Sequence, residues 1–374
     1  MNIICGKDEL LRGIQTIHST TSSRGTLPVL SNFLFETKGN RIKLSSTDLE
    51  IAIECYIKAE IIEDGGITIP TKKFSDIVRE LLINKEIEIK TDEMNHINIT
   101  SGKSKFNLMG ISKSEYPIIP TLSREKCFTI EKEIFVKMLK KTVFSVSRDL
   151  QRYVLNGIYF ALVDNRLSMT ATDGRRLAHI ETSSIKETIK EGKAIVPTKA
   201  VNDILRLLSS DIESENINIS ITNNQIAVGI DDIVFLSTLI DGVFPSYEQV
   251  IPKNSQLKIK LNVRDTLAAV KQMAALTDNK LSSNISSAVK FYFDTDILKI
   301  SASTAGIGSG EVELEVEYKD KPSEINFNPN FVKEVLQNID ENFAIFEFTD
   351  SLNPALICPE NSKDYLYVIM PMRV

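Results

Sequence analysis

The stretch RYVLNGIYFALVDNRLSMTATDGRRL, residues 152–177, decides the fold. Ile158, Phe160 and Leu162 alternate with other residues on one arm, and Leu167 and Met169 repeat the pattern on the other. A two-residue period predicts a half-buried antiparallel hairpin, and Asp164-Asn165 between the arms supplies its tight turn. The second arm runs into a polar corner, Thr172-Asp173-Gly174. Two further copies of this arrangement follow from the rest of the chain.

The first copy is SNFLFETKGNRIKLSSTDLE, residues 31–50, with a Gly39-Asn40 turn and a corner at Thr47-Asp48; the third is SAVKFYFDTDILKISAST, residues 287–304. Each copy is preceded by a helical pattern (residues 7–18, 131–144 and 262–276) and followed by a strand-to-helix step (67–82, 194–208 and 324–339). In the first two steps a proline, Pro70 and Pro197, sets the junction, which suits a residue that cannot continue a sheet ladder. The spacing holds across copies: Asp48 to Asp173 is 125 residues and Pro70 to Pro197 is 127, while Asp173 to Thr304 and Pro197 to Asn328 are both 131. Two independent landmarks in step define a triplicated unit of two helices and many strands. The expected domains are residues 1–124, 126–254 and 255–374.

Composition narrows the function. The 374 residues are 42% hydrophobic and 25% charged, as in ordinary globular proteins. The opening residues, charged from Lys7 onward, hold no apolar run long enough for a leader or a membrane span, so a cytoplasmic location is expected. Cys5, Cys55, Cys127 and Cys358 show no pairing or metal-ligand spacing. His18, His96 and His179 stand on three separate elements. Gly102-Lys103-Ser104 lacks the earlier glycine of a phosphate loop, and the glycines from Gly306 to Gly310 lead into a strand rather than a helix. Ser183 to Lys186 matches S-x-x-K only in a polar loop. No nucleophile, acid pair or metal cluster rises above background, so the chain is expected to be a non-enzyme without cofactors. A hydrolase using Asp173 or Ser168 is the competing reading; Asp173 is expected instead to bond the backbone of its own corner.

A net charge of −6 speaks against nucleic acid, but its distribution reverses the inference. The helical segments 7–18, 72–82, 132–148, 198–208, 262–280 and 329–338 carry 16 Lys and Arg against 9 Asp and Glu; the remainder carries 28 against 41. The densest group is Lys132, Lys137, Lys140, Lys141 and Arg148. Helices lining one basic surface, with strands outside, would give this segregation. A second pattern concerns assembly. Glu311, Glu313, Glu315 and Glu317 alternate with apolar residues on one strand, and Lys103 and Lys105 alternate ahead of Phe106 and Leu108 on another. Charged edge strands keep a protein soluble. Paired between chains, they would form a head-to-tail contact that closes into a ring or runs on as a filament.

Five words in order resemble the bacterial β sliding clamp family: Thr26 to Leu30 (TLPVL), Arg152 to Gly157 (RYVLNG), Ala171 to Ala178 (ATDGRRLA), Phe244 to Tyr247 (FPSY) and Val368 to Arg373 (VIMPMR). The resemblance covers the whole chain. It implies an α+β fold of three tandem DNA clamp repeats, each with two helices packed on antiparallel sheets, and a head-to-tail homodimeric ring around double-stranded DNA. It implies DNA contacts at Arg24, Gln151, Tyr153 and Lys199, and a dimer interface from Lys103, Lys105, Phe106, Leu108, Leu276, Glu311, Glu313 and Glu315. It also implies a groove for short peptides of the replicative polymerase and clamp loader. That groove would comprise Leu155, Thr172, Gly174, Arg175, Leu177, Pro245, Val250, Val368, Met370, Pro371, Met372 and Arg373. Arg175, Val154, Gln249 and Pro354 depart from the family pattern and are expected to alter the polarity of the groove rim. A repeat-built scaffold that never encircles DNA is the alternative of a different class.

Overall fold

The computed structural model describes residues 1–21, 27–82, 85–120, 127–186, 192–209, 213–277 and 288–373. Among the described residues, six α-helices fall where the periodicity places them: α1 (Lys7–Ile17), α2 (Thr71–Glu80), α3 (Lys132–Val143), α4 (Thr198–Leu208), α5 (Val263–Thr277) and α6 (Pro329–Gln337). Pro70 and Pro197 occupy the N-cap positions of α2 and α4, and Pro329 opens α6 behind an Asn328 cap that accepts from the Asn330 N–H at 2.9 Å. α3 ends at Val143, within one residue of the periodic segment 131–144 but five short of the segment 132–148 used to count charge, so Arg148 lies beyond the helix.

The chain divides into two compact units, residues 1–133 with 185–239, and residues 134–184 with 240–374. Each unit takes elements from two repeats because strands pair across the repeat boundary. In the first unit a nine-stranded sheet includes the first repeat's hairpin, Asn32–Lys38 with Arg41–Thr47, and the next strand Ile51–Lys58. That strand pairs with Ile233–Thr238 of the second repeat, with Ala52 opposite Leu236 and Ile53 opposite Phe235. In the second unit the strand Arg176–Thr182 pairs in the same way with Tyr365–Ile369 of the third repeat, with Leu177 opposite Val368 and Ala178 opposite Tyr367.

The rule repeats: the strand after each corner joins the last strand of the following repeat. Among the described residues it leaves two strands without that kind of partner. One is Ser104–Met109, the last strand of the first repeat but for the two-residue Ile111–Ser112, and the edge of a five-stranded sheet in the first unit. The other is Gly308–Glu315, the strand after the third corner and the edge of a four-stranded sheet in the second unit.

Asp164 and Asn165 both take positive φ (49° and 59°), the primed turn that matches strand twist. Opposed residues share a face, so Phe160, Met169 and Ile180 point one way. The Phe160 ring meets Phe135 of α3 at 6.1 Å, which makes this the core face. Tyr159, Thr170, Thr172, Leu177, His179 and Val368 therefore point away from the helix.

Candidate peptide-binding groove

That second face is where most of the predicted groove residues gather. Thr172 ends its strand and its hydroxyl donates to the Arg176 carbonyl at 2.6 Å while accepting from the Gly174 N–H at 3.1 Å. Asp173 Oδ1 accepts from the N–H groups of Arg175 and Arg176 at 2.9 and 3.0 Å, so this carboxylate is spent on the corner as expected. Gly174 has φ +83°, the left-handed region, and a Cβ there would stand 2.8 Å from Nη1 of Arg152. Glycine takes this conformation without strain.

Leu177 and Val368 sit opposite one another and are buried, forming an apolar floor. Leu155 is also buried, at the end of the 3-10 helix Leu150–Leu155. The terminal segment is held by its backbone: the Met370 N–H donates to the Arg175 carbonyl and the Met372 N–H to the Asn326 carbonyl, both at 2.8 Å. Met370 is 39% exposed, Pro371 and Met372 are half-buried, and Arg373 and Arg175 are exposed. The segment 244–250 covers the same face. Phe244 stacks on Tyr159 at 4.9 Å and Tyr247 lies 5.4 Å from the His179 ring, with Pro245 and Val250 exposed beside them. The result is an apolar floor with exposed methionine, proline and valine along its margins. Such a surface suits partners that vary, because methionine repacks at little cost.

Arg176, which the sequence shows only as part of the ATDGRRLA word beside the groove, holds the corner from beneath. Its side chain is only 9% exposed, and its guanidinium donates to Asp173 Oδ2 at 3.1 Å, to the Phe144 carbonyl at 2.5 Å and to Glu334 on α6. It also lies over the Phe331 ring at 4.6 Å. The arginine thus ties the corner of the second repeat to a helix of the third. Glu334 lies 158 positions away in sequence, and no local spacing announces that pairing.

The remaining predicted residues are distributed as follows. Gln151 and Tyr153 are exposed on the 3-10 helix that ends at Leu155. Lys199, in the first turn of α4, makes an ion pair with Asp48, which raises the lysine pKa against the opposing effect of partial burial. Arg24 lies outside the described residues. Lys141, counted with the basic helix residues, is turned inward: it is 5% exposed, lies 2.7 Å from Asp340 and donates to the Asn338 carbonyl, and burial lowers its pKa. It is a structural cation, not part of a solvent-facing lining. Lys105, Phe106 and Leu108 lie on the edge strand Ser104–Met109, but Lys103 falls in the turn before it rather than on the strand. Glu311, Glu313 and Glu315 are exposed on the edge strand Gly308–Glu315, and Lys299 of the neighbouring strand pairs with the first two at 3.5 and 2.6 Å. Glu317 lies past the strand end. Leu276 is half-buried on α5, beneath Gly310: a Cβ at that glycine would come within 2.8 Å of Leu276 Cδ1. Among the described residues, no group of three or more His, Cys, Asp and Glu gathers as a metal site.

A triplicated helix-and-sheet fold, with the edge strands Ser104–Met109 and Gly308–Glu315 unpaired on one side and an apolar face beside residues 368–372, has the features of a clamp. The chain belongs to the DNA polymerase III β subunit family, the sliding clamps, which are non-catalytic processivity factors. The N-terminal, central and C-terminal domains of that family match residues 1–120, 129–246 and 248–373. The chain is 32% identical to the β sliding clamp of Chlamydia muridarum over 375 residues, covering 100% of this chain and 99% of the relative. It is also 32% identical to that of Haemophilus influenzae, with both chains covered completely. Among solved structures, the DNA polymerase III subunit beta of Pseudomonas aeruginosa superposes with a TM-score of 0.93 at 28% identity, covering all of both chains. The sliding clamp of Bartonella birtlesii bound to griselimycin superposes at 0.89 and 30% identity, again over all of both chains.

Proposed function

We propose that two copies of this chain close head to tail into a ring on duplex DNA, through the two edge strands, and that the groove of the second and third repeats tethers the polymerase and the clamp loader by short peptides. The observation that carries the reading is the repeated pairing rule. Two of its three joints are made within the chain, and the third requires a strand from elsewhere.

The internal joints also supply a register. Ser104 corresponds to Ile233, since each opens the second arm of a two-residue hairpin, and Gly310 corresponds to Ala178. Gly310 likewise corresponds to Ile53 of the first repeat, so carrying the pairing of Ile53 with Phe235 to the third joint sets Gly310 against Phe106 of the partner subunit and Glu311 against Lys105 of the partner subunit. Opposite charges then face each other, and the phenylalanine ring comes onto the side where Gly310 rests on Leu276. Phe106 is 38% exposed in the single chain, so an uncovered aromatic at an edge is accounted for.

A ring holds DNA by topology, so few contacts suffice. Gln151, Tyr153, Lys199 and Arg24 are the proposed ones. Each neutralised phosphate adds about 0.9 to the slope of log affinity against log salt, so a sparse lining permits sliding. In the groove, burying an aromatic anchor of roughly 150–250 Å² contributes about 4–6 kcal/mol gross, which association costs reduce to exchangeable binding. The proposed repeats are residues 1–124, 126–254 and 255–374, and the proposed location is the cytoplasm, where chromosomal DNA is replicated.

The test is a charge reversal. Lys105→Glu should weaken the dimer measured by light scattering, shorten retention on nicked circular DNA, and be rescued by Glu311→Lys. Equal dimer affinity in all four combinations would refute the register, and equal loss from circular and linearised DNA would refute the ring. Griselimycin, which the Bartonella birtlesii clamp binds, is proposed as a ligand of this groove, and deletion of residues 370–374 should abolish its binding while leaving the dimer intact.

A further inference from the structure

The first repeat carries a second copy of the groove, in a form the peptide reading does not use. The corner Thr47 to Ile51 repeats the bonds that the Thr172 hydroxyl and Asp173 Oδ1 make to backbone in the second repeat. The Thr47 hydroxyl donates to the Ile51 carbonyl at 2.8 Å and accepts from the Leu49 N–H at 3.0 Å. Asp48 Oδ1 accepts from the N–H groups of Glu50 and Ile51 at 3.0 and 2.8 Å. The Thr238 N–H donates to the Glu50 carbonyl at 2.9 Å, the counterpart of the bond from Met370 to Arg175. Ala52 and Leu236 take the places of Leu177 and Val368. Tyr116-Pro117 takes the place of Phe244-Pro245, anchored by the Thr47 N–H donating to the Tyr116 hydroxyl at 3.1 Å. Between corner and linker lies a cavity of about 160 Å³, lined by Leu49, Ala52, Leu236 and the run from Pro117 to Pro120.

Three features separate this site from a relic. Leu49 stands at φ +80°, where the second repeat has Gly174 at +83°. A large side chain in the left-handed region is a backbone outlier, and such outliers cluster at ligand clamps and active sites. That leucine is 54% exposed and Ile118 across the cavity is 96% exposed, so both rims are apolar and open. Finally, the rim charge is inverted: Glu50 stands where Arg175 does, and because Lys199 balances Asp48, Glu50 sets the net sign of the three.

We propose that this first-repeat cavity is a second docking site, taking a short extended peptide with one aliphatic anchor and flanking basic residues. The inference rests on the reading of the second-repeat corner as a peptide groove, and differs from it in ligand charge. The aliphatic lining of the cavity, Leu49, Ala52, Ile118, Ile119 and Leu236, suits an aliphatic anchor. Opposite rim charges would let two classes of partner segment occupy one chain without competing.

The test uses methyl-labelled full-length protein and the tetrapeptide acetyl-Arg-Leu-Ile-Arg-amide, with acetyl-Glu-Leu-Ile-Glu-amide as its charge-reversed counterpart. The basic peptide should shift the methyl resonances of Leu49, Ile118, Ile119 and Leu236 saturably, and should do so equally with griselimycin bound. Glu50→Arg should weaken the basic peptide roughly three- to ten-fold and strengthen the acidic one. Ile118→Asp, at a fully exposed position, should abolish the shifts without unfolding the protein. Absence of shifts at millimolar peptide, indifference to Glu50→Arg, or burial of these methyls by concentration-dependent self-association would each overturn the proposal. Failure of griselimycin alone would instead count against the second-repeat groove.

Discussion

Replacing Arg176 by methionine should separate the groove's framework from its floor. The guanidinium makes three donations, to Asp173, Glu334 and the Phe144 carbonyl, and stacks over Phe331. Removing one member of a buried ionic network costs about 3–5 kcal/mol, mostly from partners left desolvated. Here Asp173 keeps its two backbone donors, and Glu334, at 35% exposure, can turn toward water. The Phe144 carbonyl and the Phe331 contact are then the main losses, which sets the expected cost at the lower end, about 3 kcal/mol. Lysine at the same position keeps the charge but one fork fewer, and should recover about half of that. The assay is urea unfolding followed by far-ultraviolet circular dichroism, since the chain has no tryptophan, with griselimycin affinity measured in parallel. The slope against denaturant should stay constant while the midpoint falls. A double-mutant cycle with Glu334→Gln should return a coupling of about 1 kcal/mol or more. A methionine variant within about 1 kcal/mol of the parent would show that the corner is held by its turn alone and that Arg176 is dispensable.

Burial depresses the pKa of His179, whose Nδ1 pairs with the Thr170 hydroxyl at 2.8 Å under the Tyr247 ring. With the folded-state pKa below the unfolded value, the unfolded chain takes up the proton first. Stability is therefore complete above about pH 6.5 and falls by up to about 1.4 kcal/mol per pH unit below it, until the folded pKa is reached. Melting temperatures from pH 7 down to pH 5 should show the loss in the parent and a flatter profile in His179→Phe; parallel profiles would exclude this residue. Leu49→Gly should stabilise by roughly 0.5–1 kcal/mol, the relief of left-handed strain less the entropy of glycine, whereas Gly174→Ala should destabilise by about 1–2 kcal/mol. Equal responses at the two corners, read by thermal unfolding, would refute their equivalence.

Much of this was readable in one dimension. The alternation from Ile158 to Met169 reports which side chains share a face, and it located each hairpin and its corner. Proline ahead of a helix marked α2 and α4 because its ring fits only the first turn. What alternation cannot report is the neighbour across a ladder. Ile51–Lys58 pairs with a strand some 180 positions further on, so the seams between repeats stayed hidden until the sheets were assembled. Groove residues were accessible only through resemblance: Leu177 and Val368 look like any strand core, and the burial of Arg176 and Lys141 depends on acids brought from distant elements.

The borrowed strand has a consequence for biosynthesis. The first repeat cannot complete its sheet until Ile233–Thr238 has been made, nearly two thirds of the way along the chain. At roughly 5–20 residues per second, the edge Ile51–Lys58 waits about 10–40 s on the ribosome for its neighbour. During that interval a nascent chain displays a bare, apolar strand edge, and polysomes crowd many such edges together. Early folding of this clamp is therefore a problem of shielding, and truncated chains that stop before residue 233 should need chaperones that full-length chains outgrow.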